Sequence, residues 1–304
     1  MSLPASWPAY LQAHHTGLLA HRAAEAAARL ADCDLCPRAC GVDRTKGERG
    51  VCGAGDDAEV ASWAPHFGEE PPLVGRHGSG TIFLAHCGLR CCFCQNHDIS
   101  FAGADALSPG EIALLMLRLQ TLGCHNINFV TPTHYLPQLL SAVEVAAGRG
   151  LEVPLVWNCG GYEDLGALAL LDGIVDIYLP DVKFADETPA RRFCGAPDYF
   201  DIARRAVLEM HRQVGDLEIG PDGTARRGLL VRHLVLPGGL AGTAAVMAFL
   251  AGQISRDTWV NVMGQYRPCH RASQHPEIAR RITPAEYAAA VAAARRAGLH
   301  RGIL

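Results

Sequence analysis

Three cysteines, Cys87, Cys91 and Cys94, share one short segment, Ala85-His86-Cys87-Gly88-Leu89-Arg90-Cys91-Cys92-Phe93-Cys94. Thiolate sulfur suits iron, and three thiolates at this Cys-x3-Cys-x2-Cys spacing can hold three irons of a four-iron, four-sulfur (4Fe–4S) cluster. Such a cluster normally takes four cysteines, so the missing fourth leaves one iron open to a small-molecule ligand. Cys92 offers a competing register, Cys87-x4-Cys92-x-Cys94, at the expense of a strained loop. Zinc usually draws on two separated knuckles, and the nearest second knuckle is the earlier group Cys33, Cys36, Cys40 and Cys52. That group has enough ligands for zinc or a second iron–sulfur cluster, with reduced structural thiols as the alternative. Cys124, Cys159, Cys194 and Cys269 stand alone and read as buried apolar residues.

The elements that must position this triad follow from the hydrophobic pattern. Short apolar runs at 81–85, 127–130, 155–157, 175–179, 229–236 and 259–263 read as strands. Helical patterns follow them at 109–122, 136–147, 165–171, 200–214, 243–253 and 284–297, and a further helix is expected over 11–31. Ser108-Pro109-Gly110-Glu111 and Thr283-Pro284-Ala285-Glu286 each supply a capping hydroxyl, a first-turn proline and a returning Glu. Six strand–helix units imply an α/β fold with parallel strands, a partial (β/α)6 TIM-like barrel carrying a Cys-rich N-terminal extension. The expected division is 1–75 for the extension and 76–304 for the core. Ligands of parallel α/β folds bind where strand carboxyl ends converge. Cys87, Thr133, Asn158, Asp181, Pro237-Gly238-Gly239 and Gln265-Tyr266-Arg267 all fall just past strand ends, which suggests one shared pocket. Lys183 beside Asp181 is placed to polarise a bound group. His86, His97 and His134 lie near these loops, with pocket and structural roles both open. His14, His15 and His21 sit on an exposed-looking helix.

Composition narrows the class. The 304 residues carry a net charge of -4, with 49% hydrophobic and 19% charged residues, so a sizeable core is available and disorder is disfavoured. No strong positive field favours nucleic acid, and no apolar run reaches the ~18 residues of a membrane span. Residues Met1 to Pro8 show no basic segment followed by an apolar stretch, so a cytoplasmic protein is expected. In a reducing compartment, 12 cysteines point to metal ligation rather than to a disulfide framework.

The triad, with aromatic Phe93 before its last cysteine, resembles the signature of radical S-adenosylmethionine (radical SAM) enzymes. Segments 33–38, 130–135, 158–162, 176–183, 230–238 and 263–268 resemble the homologues of pyruvate formate-lyase activating enzyme over essentially the whole chain. The resemblance implies a radical SAM oxidoreductase with two cofactors, a 4Fe–4S cluster and S-adenosylmethionine (SAM). SAM would bind the open iron, and one electron would cleave it to methionine and a 5'-deoxyadenosyl radical that abstracts hydrogen. By the same resemblance, Phe93 lies near the adenine, and Thr133, Asn158, Asp181, Lys183 and Arg232 line the SAM or substrate side. The implied partners are a reductant such as flavodoxin or ferredoxin and, in one reading, a glycyl radical enzyme; in the other the substrate is a small molecule. Activating enzymes carry Gly-Gly-Glu after the second strand, where this chain has Thr131-Pro132-Thr133-His134. The carbonyls and the Thr133 hydroxyl there can still accept hydrogen bonds. A non-catalytic iron–sulfur carrier or zinc-organised scaffold is the alternative class, which needs no such pocket.

Overall fold

The computed structural model describes residues 7–303, so the reading of the first residues falls almost wholly outside them. Among the described residues nine strands form: β1 (Ala58–His66), β2 (Ser79–Leu84), β3 (Asp105–Leu107), β4 (Ile127–Val130), β5 (Leu155–Cys159), β6 (Ile177–Pro180), β7 (Glu218–Ile219), β8 (Ala225–Leu234) and β9 (Trp259–Met263). The six expected strands are β2, β4, β5, β6, β8 and β9, and they neighbour one another in that order, all parallel. Their carboxyl ends therefore share one edge. Helices Pro109–Thr121, Leu136–Ala147, Leu165–Leu171, Tyr199–Val214 and Thr243–Phe249 make the crossovers, and Pro284–Ala297 follows β9. Both expected capping boxes are present, at Ser108/Glu111 and Thr283/Glu286.

Side chains alternate across these strands as the two-residue period requires. Trp157, Tyr178, Leu229, Val231, Val260 and Val262 face the main core, which they share with the crossover helices. Val156, Ile177, Leu179 and Leu230 face the other way and pack around Leu73. Two residues further along this inner face stand Asn158, Asp181 and Arg232. The inner face thus turns from apolar to charged toward the carboxyl edge. Burial is cheap at the first level, and polar groups must find partners at the second.

Several elements differ from expectation. The helix expected over 11–31 is split into Ala9–His15 and Leu18–Ala28, because Gly17 takes a left-handed φ of 75°. The 243–253 helix keeps α geometry only to Phe249 and widens into a π turn, Leu250–Ile254. β1 was not anticipated: it runs antiparallel to β2 with a bulge between Val60 and Ser62, and its buried and exposed positions do not alternate. Helix Glu187–Cys194 was also missed, and it matters for the site.

The N-terminal segment is integral to the sheet's surroundings. Helix Leu18–Ala28 packs on Leu136–Ala147, and Leu19, Ala26 and Leu30 belong to the same buried core as β4 and β5. Asp176, buried before β6, accepts the backbone N–H groups of Ala9 (2.9 Å) and Leu155 (3.0 Å). No helix among the described residues is long and apolar enough to cross a membrane.

Gly161, after β5, holds a φ of 75° against the β6 loop. A Cβ there would lie 2.3 Å from the Asp181 carbonyl oxygen and 3.1 Å from the Tyr199 hydroxyl. Backbone cannot yield cheaply, and the φ itself disfavours any side chain. Gly161→Ala is expected to lower the unfolding free energy by about 2 kcal/mol or more. Urea denaturation followed by circular dichroism checks this, and a loss below half that value would contradict it.

Candidate functional site

The loop after β2 carries the triad, and two unusual backbone angles shape it: His86 (φ 68°) and Arg90 (φ 50°) are both left-handed. These turns bring the sulfurs back over the carboxyl edge. Backbone N–H groups of Leu89 and Arg90 point at the Cys87 sulfur, which burial pushes up to about 12. The Cys94 sulfur lies 3.4 Å from the Ser100 hydroxyl and takes a further N–H from Asn96. Cys194, at the end of helix Glu187–Cys194, donates its thiol hydrogen to the Cys91 sulfur at 3.2 Å. That bond pulls the Cys91 thiol below its ordinary value, while burial holds the Cys194 proton in place. Donors aimed at sulfur are what a bound thiolate or sulfide cluster needs around it. Cys92 is strapped instead by its backbone: its N–H donates to the Phe193 carbonyl, and its carbonyl accepts from the Arg271 N–H, both at 2.8 Å.

Among the described residues, no three His, Cys, Asp or Glu side chains converge on a point suited to one metal ion. Cluster thiolates each bind a different iron, so a single-ion criterion does not bear on the triad. Cys33, Cys36, Cys40 and Cys52 likewise do not converge on a single point. Cys33 and Cys52 are buried, and burial pushes the Cys36 thiol up to about 12. This segment is nonetheless fastened to the site. Arg38 donates to the carbonyls of Gly88 (3.0 Å) and Cys194 (2.7 Å), and buried Arg44 to those of Gly55 (2.9 Å) and His134 (2.6 Å).

Facing the triad from inside the sheet is a charged network. Arg232 on β8 donates through Nε to Asp181 Oδ1 and through Nη1 to Glu69 Oε2, both at 3.0 Å, and its third nitrogen meets Asn158 Oδ1. Lys183 pairs with the other Asp181 oxygen. Burial would make Asp181 harder to ionise, but Lys183 and Arg232 outweigh it and hold the carboxyl below its usual range. Burial likewise opposes the Lys183 charge, and Asp181 reverses that effect. Glu69 differs: burial raises it, and Arg232 only partly offsets the rise. Nothing in the residue types around Glu69-Glu70-Pro71-Pro72 marks the pair as site residues, since the strand before them went unread. Yet Glu69 reaches Arg232 on β8, and Glu70 accepts from Asn261 on β9 at 2.8 Å, so the segment that leads from β1 toward β2 is tied to the last two strands of the parallel run.

Thr133 donates to both oxygens of Glu163, at 2.9 and 2.8 Å. Glu163 is only 4% exposed, and with Cys36, Cys87, Gly88, Thr131 and Gly160 it lines a small cavity beside the triad. It follows directly on the Tyr162 that closes one resembling segment, which was the available signal for it. Burial raises its carboxyl from 4.5 to about 7. Between those values the folded chain keeps a proton that the unfolded chain has lost. The contribution to stability is therefore complete below the lower value and is lost as pH rises through the upper. The Glu163 contribution to the stability of the metal-free protein is expected to fall between about pH 5 and pH 7, in the same direction as that of Asp176, which burial also raises to about 7. Relative to the parent, Glu163→Gln should remove this one contribution from the pH dependence in urea titrations at several pH values, with Asp176 keeping its own; a pH dependence identical to the parent's would contradict it.

Of the residues expected at the site, Asn158, Asp181, Lys183 and Arg232 converge directly. Thr133 belongs to the neighbouring small cavity. Phe93 is buried in an aromatic cluster, its ring edge-on to Phe184, Phe193 and Tyr266 at 6.0–6.4 Å. His134 also lines the small cavity; its Nε2 meets the Ala85 carbonyl at 2.8 Å, so the neutral ring carries its proton there, and burial pulls it down to about 3. His86 lies 3.1 Å from Glu59, and His97 stacks on His270. His14 pairs with Glu144 at 3.0 Å.

No family model matches the chain. It is similar to the uncharacterized protein MJ0674 of Methanocaldococcus jannaschii, 34% identical over 263 residues that cover 83% of this chain and 71% of that protein. Among solved structures, a radical SAM methyltransferase from Sphaerobacter thermophilus is similar at a TM-score of 0.46 and 14% identity. That match covers 73% of this chain and about 65% of the other, less than two thirds of its length. On the shared identity and coverage, the chain belongs to the same family as the Methanocaldococcus jannaschii protein.

Proposed function

We propose that this protein is a radical SAM enzyme: Cys87, Cys91 and Cys94 hold a 4Fe–4S cluster at the carboxyl edge of a partial (β/α)6 barrel. The observation that carries this reading is the juxtaposition of a thiol trio, Cys91 buried and Cys87 and Cys94 half-buried, its sulfurs met by N–H, O–H and S–H donors, with the ion network of Asp181, Lys183 and Arg232. When bound, the cluster and SAM supply one-electron cleavage of a carbon–sulfur bond and a 5'-deoxyadenosyl radical that removes hydrogen from a substrate.

The chain's own residues do the rest. Leu89, Arg90, Asn96, Ser100 and Cys194 offset the negative charge gathered on sulfur. Lys183 and Arg232 offer fixed positive charge to a carboxylate, while Asp181, Asn158 and Glu69 offer acceptors to an ammonium group; all are preorganised by one another. The aromatic cluster around Phe93 excludes water from beneath the cysteine loop. The carboxylate nearest Thr133 comes from Glu163, on the loop after β5, rather than from the Gly-Gly-Glu of activating enzymes. The reading therefore stops at hydrogen abstraction, from a partner enzyme's glycine or from a small molecule. Release of 5'-deoxyadenosine only when a partner protein is present would select the first. The N-terminal thiols are read as reduced, and the electron as coming from a reductant such as flavodoxin or ferredoxin.

Anaerobic purification with iron and sulfide analysis tests the core of this reading. About four irons and four sulfides per chain are expected, with methionine and 5'-deoxyadenosine formed from SAM and dithionite. Zinc alone without sulfide, or a cluster that leaves SAM intact, would sink it.

A further inference from the structure

On the solvent side of the cysteine loop lies a cavity of about 370 Å³ whose wall includes Arg38, Arg90, Arg191, Arg192, Arg271 and Cys92. Five guanidinium groups around one cavity are unexpected in a chain of net charge -4. Two are paired: Arg191 with Glu187, and Arg192 with Glu277 at 2.5 Å. Among the described residues the other three have no carboxylate partner. Arg38 donates to neutral carbonyls. Arg90 lies over the Phe101 ring at 4.4 Å and Arg271 over the same ring at 5.8 Å, which holds both charges extended without neutralising them. Such a concave positive surface raises the local concentration of negatively charged partners.

Its position gives the surface a role. The cavity wall is made by Cys92, one peptide bond from Cys91, and by Cys194, whose sulfur touches the Cys91 sulfur at 3.2 Å. We propose that this arginine cavity is where an acidic one-electron carrier protein docks, delivering its electron past Cys92 and Cys194 to a cluster held at Cys91. The inference rests on the radical SAM reading above. In each event the carrier loses one electron and the cluster gains one, with no bond made or broken.

The test uses the anaerobically reconstituted full chain and an acidic flavodoxin as probe. In Arg192→Glu/Arg271→Glu, affinity for oxidised flavodoxin and the rate of cluster reduction by flavodoxin hydroquinone should each fall at least ~10-fold at low salt. The salt dependence of the rate should flatten, and the Lys/Lys double variant should keep most of both quantities. Iron content and reduction by titanium(III) citrate should match the parent, which separates docking from folding and cluster assembly. Parent-like binding and reduction in the Glu/Glu variant would overturn the proposal. So would inorganic pyrophosphate that binds the cavity tightly without slowing electron transfer, since the site would then serve a small anion. A parent protein with no reducible cluster would instead remove the enzymatic reading beneath it.

Discussion

Cys91→Ala is expected to reduce bound iron from about four per chain to less than one and to abolish dithionite-dependent 5'-deoxyadenosine formation. The physical reason is that Cys91 is the central thiolate of the triad and the one with the most support. It is buried at 8% exposure, accepts the Cys194 thiol hydrogen at 3.2 Å and lies in the field of Lys183. Two remaining thiolates leave two irons without protein ligands, and a cluster in that state is lost to solvent. Cys92→Ala is the informative contrast. Cys92 is buried and lines the arginine cavity, and its structural bonds to Phe193 and Arg271 run through backbone atoms that alanine keeps. That variant should retain iron and turnover within about twofold of the parent, because a substitution that removes no buried partner is usually mild. Iron analysis and product assay on both proteins, with circular dichroism to verify folding, decide the matter. The opposite pattern would move the ligand set to Cys92.

Arg232→Met should cost about 3 kcal/mol of unfolding free energy in the metal-free protein. Removing this member of a buried ion network leaves Glu69 buried without its charged partner and Asp181 with Lys183 alone. Arg232 alone bridges Asp181, Glu69 and Asn158, each through a different nitrogen. Methionine fills similar volume, so the loss reports on charge rather than on a cavity. Glu69, already raised by burial, can take a proton in the variant, which limits the damage. Arg232→Lys should recover only part of the loss, because an ammonium cannot present a planar fork to three acceptors. Urea denaturation at pH 7 measures this, and a change below about 1 kcal/mol would mean that solvent screens the network as it does a surface pair.

Short-range chemistry was readable from the chain before any folding was considered. Strands 127–130 and 259–263 and helices 136–147, 165–171 and 284–297 were located to the residue, because apolar period and capping residues are local properties. The triad's candidate chemistry likewise depends only on thiol spacing along one loop. Helix 11–31 failed at Gly17 because its neighbours read as helical, while a glycine there allows a left-handed φ that ends the helix. β1 was illegible for a different reason. It lies at the antiparallel end of the sheet with a bulge and a proline, so its pattern follows contacts with β2 and β3 instead of a regular period.

Which groups face one another is a long-range matter. Asp181 beside Lys183 could be anticipated, being two residues apart, but Arg232 meeting Glu69 across 163 positions could not. The same holds for Glu163 under Thr133, for Cys194 against Cys91, and for five arginines gathered around one cavity. Periodicity says which face of a strand a residue occupies; only the packing of crossovers against the sheet sets which distant loop that face confronts. Ligand type and element identity are thus written in neighbouring residues. The electrostatic setting of the thiols is written in the topology, because charge acts through space and takes no account of chain order.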